Sequence, residues 1–300
     1  MAYEPIGRIR PVPPSPSLLS SATLLDSGVN WKTGVSWITS CIGSFSQQYC
    51  PPGSLMRGAN RTVVHSMPFV IYTPISCTMP IDMADLEGLA VDATEAHTPA
   101  AIAHALWMGS TEYDPADTTQ PTLRRNAVDV SRANPVDLDD GVAALLAHYQ
   151  LCTGGYGGAV VHMPGDLLVA SLGGGGGGAR LCWPEGTLYR GAHGATFVAG
   201  PGYPEGFTID GPNGSGPRFA TGPDRYWGNE AGSSWIYVTG PIEYAVSSPV
   251  RIIPETDADR IVPLQNRVDF WAERDAIVRF DPCCVFAIEV FNLSPNPEVS

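Results

Sequence analysis

The sequence predicts an α+β fold, with helices and strands in separate blocks rather than in regular alternation. Two stretches, residues 82–108 and 135–151, keep a 3.6-residue apolar period long enough for an amphipathic helix, whereas the C-terminal third consists of β-prone runs with almost no helical period. A third observation is punctuation: 33 Gly and 28 Pro in 300 residues break the chain into short elements joined by long loops.

Composition narrows the function classes. With 44% hydrophobic residues the chain can bury a core, so disorder is not expected. A net charge of −13 argues against a surface that wraps nucleic acid through its phosphates, which needs clustered Lys and Arg, although an acidic shell can enclose DNA without gripping it. The start, Met1-Ala2-Tyr3-Glu4-Pro5, lacks the pattern of a secretory signal, and no apolar run approaches the ~18 residues that span a bilayer. A soluble, non-exported product with no membrane partner is the expectation. Seven cysteines, at 41, 50, 77, 152, 182, 283 and 284, form no CxxC pair, so they read as buried thiols, with a Cys41–Cys50 bridge as the alternative.

In chain order, residues 1–30 form a Pro- and Ser-rich extended arm that needs a surface to lie on. Runs at Val35–Thr39, Thr62–Val64 and Phe69–Thr73 then read as a long irregular hairpin within residues 31–78. The first helix, residues 82–108, repeats Met83, Leu86, Leu89, Ala93, Ile102 and Leu106, with Gly109 just past its end; Pro99 predicts a kink or two abutting helices. A polar loop precedes the second helix, residues 135–151, whose Asp137, Asp139 and Asp140 suit the positive end of the helix dipole and whose end Gly154-Gly155 marks. Strands follow at 159–162, 181–182, 187–188, 195–199, 235–239, 243–246 and 250–253, interrupted by a brief helix near 167–172, six glycines at 173–178 and a long Gly/Pro/Asn loop to 232.

No motif rises to a mechanism. Gly173 to Gly178 lacks a GK[ST] and reads as a surface loop, and Asn213-Gly214-Ser215-Gly216-Pro217 is not a nucleophile elbow. His97 and His104 share a helix face without a third ligand. His148, His162 and His193 stand on separate elements and would make an enzyme site by converging near a carboxylate such as Asp166. Glu273, Arg274 and Asp275 alternate on a strand and read as a solvated or inter-subunit ion pair. No catalytic, cofactor-binding or metal-ligating residue is assigned.

The order of parts carries more. An extended arm, a two-stranded excursion, a long helix ending Leu106-Trp107-Met108-Gly109, a polar loop, a second helix and Ala159-Val160-Val161-His162-Met163-Pro164 follow one another. The chain closes on an alternating strand from Asn266 to Asp281-Pro282 and an apolar strand, Cys283 to Val290. This order resembles the Hong Kong 97 (HK97-like) type of tailed-phage major capsid subunit, a fold shared with encapsulins. Arg190 to Gly200 is similar to a strand of that family's A-domain, although Gly194-Ala195-Thr196-Phe197 lacks its proline.

The resemblance implies a division into arm (1–30), E-loop-like excursion (31–80), P-domain spine helix and loop (81–135), A-domain (136–250), and return strands with a tail (251–300). It implies a structural shell protein, not an enzyme, without cofactor, that assembles as hexamers and pentamers around double-stranded DNA. Its partners would be a portal and separate scaffold or decoration proteins. Lys32, Arg57, Arg61, Arg267, Glu273 and Arg274 are the expected inter-subunit contacts. Lys32 is the sole lysine and precedes the excursion's tip, so a lysine cross-link is not expected. That single lysine among 17 basic residues suggests a GC-rich, actinobacterial setting. The alternatives are an encapsulin-like shell, a tail or decoration protein, or an α/β enzyme using the histidines.

Overall fold

The computed structural model describes residues 18–25, 29–40, 61–78, 83–109, 121–131, 135–154, 158–165, 167–168, 182–185, 188–191, 194–199 and 233–291. A helical turn, α1 (Leu18–Ser21), and β1 (Thr23–Leu24) precede a hairpin of β2 (Val35–Ser40) and β3 (Arg61–Ser66). β4 (Phe69–Thr78) leads into the long helix α2 (Met83–Met108). α3 (Leu123–Asn126) and β5 (Val128–Asp129) lead to the second helix, α4 (Leu138–Thr153). Then come β6 (Val160–His162), β7 (Cys182–Glu185), β8 (Leu188–Gly191), β9 (Thr196–Val198), β10 (Ser233–Thr239), β11 (Ile242–Val246) and β12 (Arg251–Ile253). The turn Asp257–Arg260, β13 (Ile261–Val262), the 14-residue strand β14 (Arg267–Phe280) and β15 (Phe286–Phe291) complete the chain.

The first sheet is built along β14. One edge pairs antiparallel with β4, from Arg267 opposite Thr78 to Ala276 opposite Phe69. The other edge takes β11, β12 and β13 in succession, so residues 242–262 step down the strand in three short antiparallel pieces. β1 extends the sheet by pairing parallel with β11. Alternation explains the packing: Val268, Phe270, Ala272, Ala276, Val278 and Phe280 are buried on one face, as the period of a strand requires. Under α2, Leu86 and Ala90 close over Val268, Phe270 and Ala272 as a small separate core.

The second sheet runs β5-β15-β10-β6-β9-β8-β7. All seven residues of β10 are buried, including Ser233, Ser234 and Thr239, which fits a central strand covered on both faces. Leu138, Val142, Leu145, Leu146 and Tyr149 form the buried face of α4. Trp107, at the end of α2, meets Tyr237 of β10 edge to face with centroids 4.6 Å apart, tying the long helix to this sheet. The main core is continuous across both sheets, from Phe69 and Val278 to Val161, Phe197 and Ile288.

Several expectations are corrected. α2 is one helix through Pro99, not two. A proline inside a helix costs about 3 kcal/mol. Burial of Leu86, Ile102, Leu106 and Trp107 offsets this, each contributing roughly 1.5–3 kcal/mol. α4 starts at Leu138 rather than at Pro135, because Val136 is used as strand: its N–H donates to the Glu289 carbonyl and its carbonyl accepts from Phe291. β4 leaves the excursion and joins β14, so the hairpin is β2 and β3 alone. The two closing strands do not pair with each other; β14 belongs to the first sheet and β15 to the second. The expectation that the arm needs a surface is met where it is described: Leu18 is only 2% exposed, in the main core of its own chain. The cysteines are not all thiols: Cys152 and Cys284 form a disulfide, Cys283 is disulfide-bonded as well, and Cys77 and Cys182 remain thiols. The glycine run, the long loop and residues 41–60 lie outside the described residues.

Gly34 gives a direct test of how the hairpin is seated. Its φ of +78° is left-handed, and a Cβ there would stand 2.1 Å from the Ser66 carbonyl oxygen, a backbone atom that cannot swing aside. Gly34→Ala is expected to destabilise the chain by at least about 2 kcal/mol. Denaturant unfolding measures it, and hydrogen exchange should rise first at 35–40 and 61–66.

Candidate functional site

Charged and aromatic side chains gather on the open face of the first sheet. Residues 267, 269, 271, 273 and 275 of β14 point there, and Trp271 and, on β4, Tyr72 are exposed. Arg251, directly opposite Glu273 in the register, reaches Glu273 Oε1 at 3.0 Å and Asp275 Oδ2 at 3.1 Å. The Trp271 indole N–H donates to Glu273 at 3.0 Å. Arg267 donates through Nε at 2.9 Å and Nη2 at 2.5 Å to Asp269, and with Ser76 it holds that carboxyl below the usual aspartate range. Solvent-exposed pairs of this kind contribute little to stability, so they orient this face rather than stabilise the fold.

The predicted contact residues fall in different places. Glu273 and Arg267 lie on this open face, each already engaged within its own chain. Arg274 is on the other face and donates from Nε and Nη2 to the Ser247 carbonyl at 3.2 and 2.8 Å; its partner is a backbone oxygen, not a carboxylate. Lys32 is exposed in the turn before β2. Arg61 opens β3 opposite Ser40, and Arg57 lies outside the described residues.

Three arginines were not singled out from the sequence. Arg251 is the hub of the open face. Arg279 joins Glu243 at 2.5 Å and lies 5.6 Å from the Trp37 ring, while the Ser66 hydroxyl donates to the Val278 carbonyl at 2.7 Å; together they fasten the hairpin to the first sheet. Arg260 is buried, paired with Glu87 of α2, over the Phe270 ring at 5.5 Å and donating to the Pro254 carbonyl at 2.6 Å. A cation–carboxylate pairing across separate elements leaves no local sequence signal. Only the strand register brings these groups together.

His148 and His162 do not converge. His162 is fully buried in β6, with Nε2 2.9 Å from the Thr239 hydroxyl, whereas His148 is exposed on α4 against Phe286, ring centroids 5.6 Å apart. His193 and Asp166 lie outside the described residues. Among the described residues no group of three His, Cys, Asp or Glu is placed to hold a metal.

No family model and no curated protein matches the sequence. Solved structures do. The capsid of an empty GTA particle aligns with a TM-score of 0.59 at 15% identity, over 97% of this chain and 95% of that one. A Microbacterium phage Oxtober96 structure aligns at 0.54 and 10% identity, covering 99% and 96%. Mycobacterium phage Ogopogo aligns at 0.53 and 11% identity, covering 97% of each chain. The chain has the HK97-like phage capsid fold. The resemblance read from the order of parts is therefore borne out at the level of fold, and so is the α+β class.

Within this capsid fold His162 supplies a pH test. Burial lowers its pKa from 6.5 to about 3, so the folded subunit keeps the ring neutral. The unfolded chain takes up a proton near its ordinary value while the folded chain does not. Stability is thus full above pH 6.5 and falls as the pH drops from 6.5 towards 3, by up to about 1.4 kcal/mol per pH unit. Unfolding midpoints measured between those limits should show the slope, and His162→Gln, which cannot titrate, should flatten it.

Proposed function

We propose that this chain is the major capsid protein of a tailed phage, a structural subunit that self-assembles into an icosahedral head enclosing DNA. The observation that carries the reading is that the alignment with a capsid structure is coextensive, 97% of this chain with 95% of the other. The net charge of −13 fits a shell that contains double-stranded DNA without gripping it. The chain is then a virion component, assembled in the host bacterial cytoplasm as hexamers and pentamers, with a portal and separate scaffold or decoration proteins as partners and no catalysis of its own.

Charge distribution supports assigning Lys32, Arg57 and Arg61 to contacts between copies. Residues 27–81 hold these three cations and no carboxylate, while the rest of the chain carries all 30 Asp and Glu. The long helix α2 contains Asp85, Glu87, Asp92 and Glu95 and no Lys or Arg. An excursion of one sign on a body of the other favours contact between neighbours over contact between like parts. Arg267, Glu273 and Arg274 complete the proposed set, on a strand whose open face presents Trp271.

Electron microscopy of the purified protein under assembly conditions should show closed icosahedral shells, and particles from a lysate should protect double-stranded DNA from nuclease. A compact monomer of 31.8 kDa as the sole species would sink the reading. Arg57→Glu combined with Arg61→Glu should leave circular dichroism unchanged yet weaken association roughly tenfold or more, since like charge at a contact costs upwards of about 1.4 kcal/mol. Sedimentation at graded salt measures it.

A further inference from the structure

Two described segments cross from one sheet to the other: Gly240-Pro241 between β10 and β11, and residues 281–285 between β14 and β15. The last turn of α4 sits against both. The Tyr149 hydroxyl stands 3.3 Å from where a Cβ on Gly240 would be, the His148 ring packs on Phe286, and Cys152 is bonded to Cys284 in the second crossing. The bridge closes 132 residues of chain, and Cys283, the residue before, is disulfide-bonded too. Cys152, Cys283 and Cys284 are half-buried, within reach of small thiols and disulfides, whereas the Cys182 thiol is fully buried. Among the described residues the oxidised cysteines are therefore at the inter-sheet junction and not scattered through the core.

We propose that Cys152 and Cys284 form a redox-timed lock on this junction, a dithiol while the subunit folds and assembles in a reducing cytosol and a disulfide once the particle is outside it. The inference rests on the capsid reading, because only a particle that leaves a cytosol meets both redox conditions. The chemistry is thiol–disulfide exchange with a small-molecule disulfide such as oxidised glutathione. One cysteine thiolate attacks the small disulfide and releases its first thiol; the second thiolate attacks the mixed disulfide and releases the other. Two protein thiols are oxidised to one S–S bond, one small disulfide is reduced to two thiols, and the protons end on the thiols released. The bond then fixes the end of α4 to the crossing, and with it the angle between the two sheets. Subunits would assemble with that junction free and persist with it fastened.

The experiment traps thiols in intact producing cells with N-ethylmaleimide, and separately in particles held in air with oxidised glutathione, and maps Cys152 and Cys284 by mass spectrometry. Alkylated cysteines in cells and a cross-linked 152–284 peptide in the exposed particles are expected. Particles should melt roughly 4–10 °C lower in dithiothreitol. Cys152→Ser should assemble in normal yield in cells, melt below the oxidised wild type, and lose the part of the dithiothreitol response that the 152–284 bond supplies, keeping only what reduction of the Cys283 bond gives. A 152–284 bond already complete in cytosolic subunits, or a melting temperature indifferent to dithiothreitol, overturns the lock. If the serine variant does not fold, the alkylation pattern and the wild-type response decide alone. Should no particles form at all, the capsid reading fails by that result, whereas thiol trapping on the soluble chain still reports whether the pair oxidises.

Discussion

Hydrogen bonding along both edges of β14 is the constraint on which the rest depends. A strand of 14 residues is long, and an unpaired edge of that length would expose a row of donors and acceptors to any passing chain. Here one edge is filled by the ten residues of β4 and the other by three short strands in succession. The hairpin, the long helix and the second sheet are placed by what this strand pairs with. β4 fixes where α2 begins, β11 fixes where β10 must end, and the far end of β14 delivers the chain to β15.

That arrangement separates two kinds of surface. In the second sheet β10 lies buried between β15 and β6, so its side chains serve packing even where they are polar: His162 answers Thr239, and Ser233 answers Glu289 at 2.5 Å. The first sheet leaves one face open, and there the charged residues cluster around Arg251 and Arg267. Exposed ion pairs of this kind contribute little to folding. Their placement beside Trp271 and Tyr72 instead makes this a face where orientation matters more than strength.

Much of the element order was legible in the sequence because it rests on local periodicity. The two helices, the buried run at β10, the alternation of β14 and the glycines that end α2 and α4 are each decided within a window of a few turns or strand residues. The glycine after each helix takes up the left-handed backbone that ends it, Gly109 at φ +94° and Gly154 at +70°. Glu273 and Asp275 could be placed on one strand face from alternation alone, but not the Arg251 that bridges them, 22 and 24 residues away.

By itself the sequence determined the α+β class, the identity of most elements, the acidic balance that disfavours gripping DNA, and an order of parts that resembles a capsid subunit. Tertiary structure decided which strands share a sheet. It sent β4 and β14 to one sheet and β15 to another, carried α2 unbroken through Pro99, drew Val136 into a bridge with Val290, buried Leu18 of the arm, and paired Cys152 with Cys284 across 132 residues. The physical reason is the same in each case. Periodicity and turn chemistry act between near neighbours in sequence, whereas strand pairing, the burial that outweighs a helix-breaking proline, and a sulfur–sulfur contact depend on which distant segments the closed core brings together.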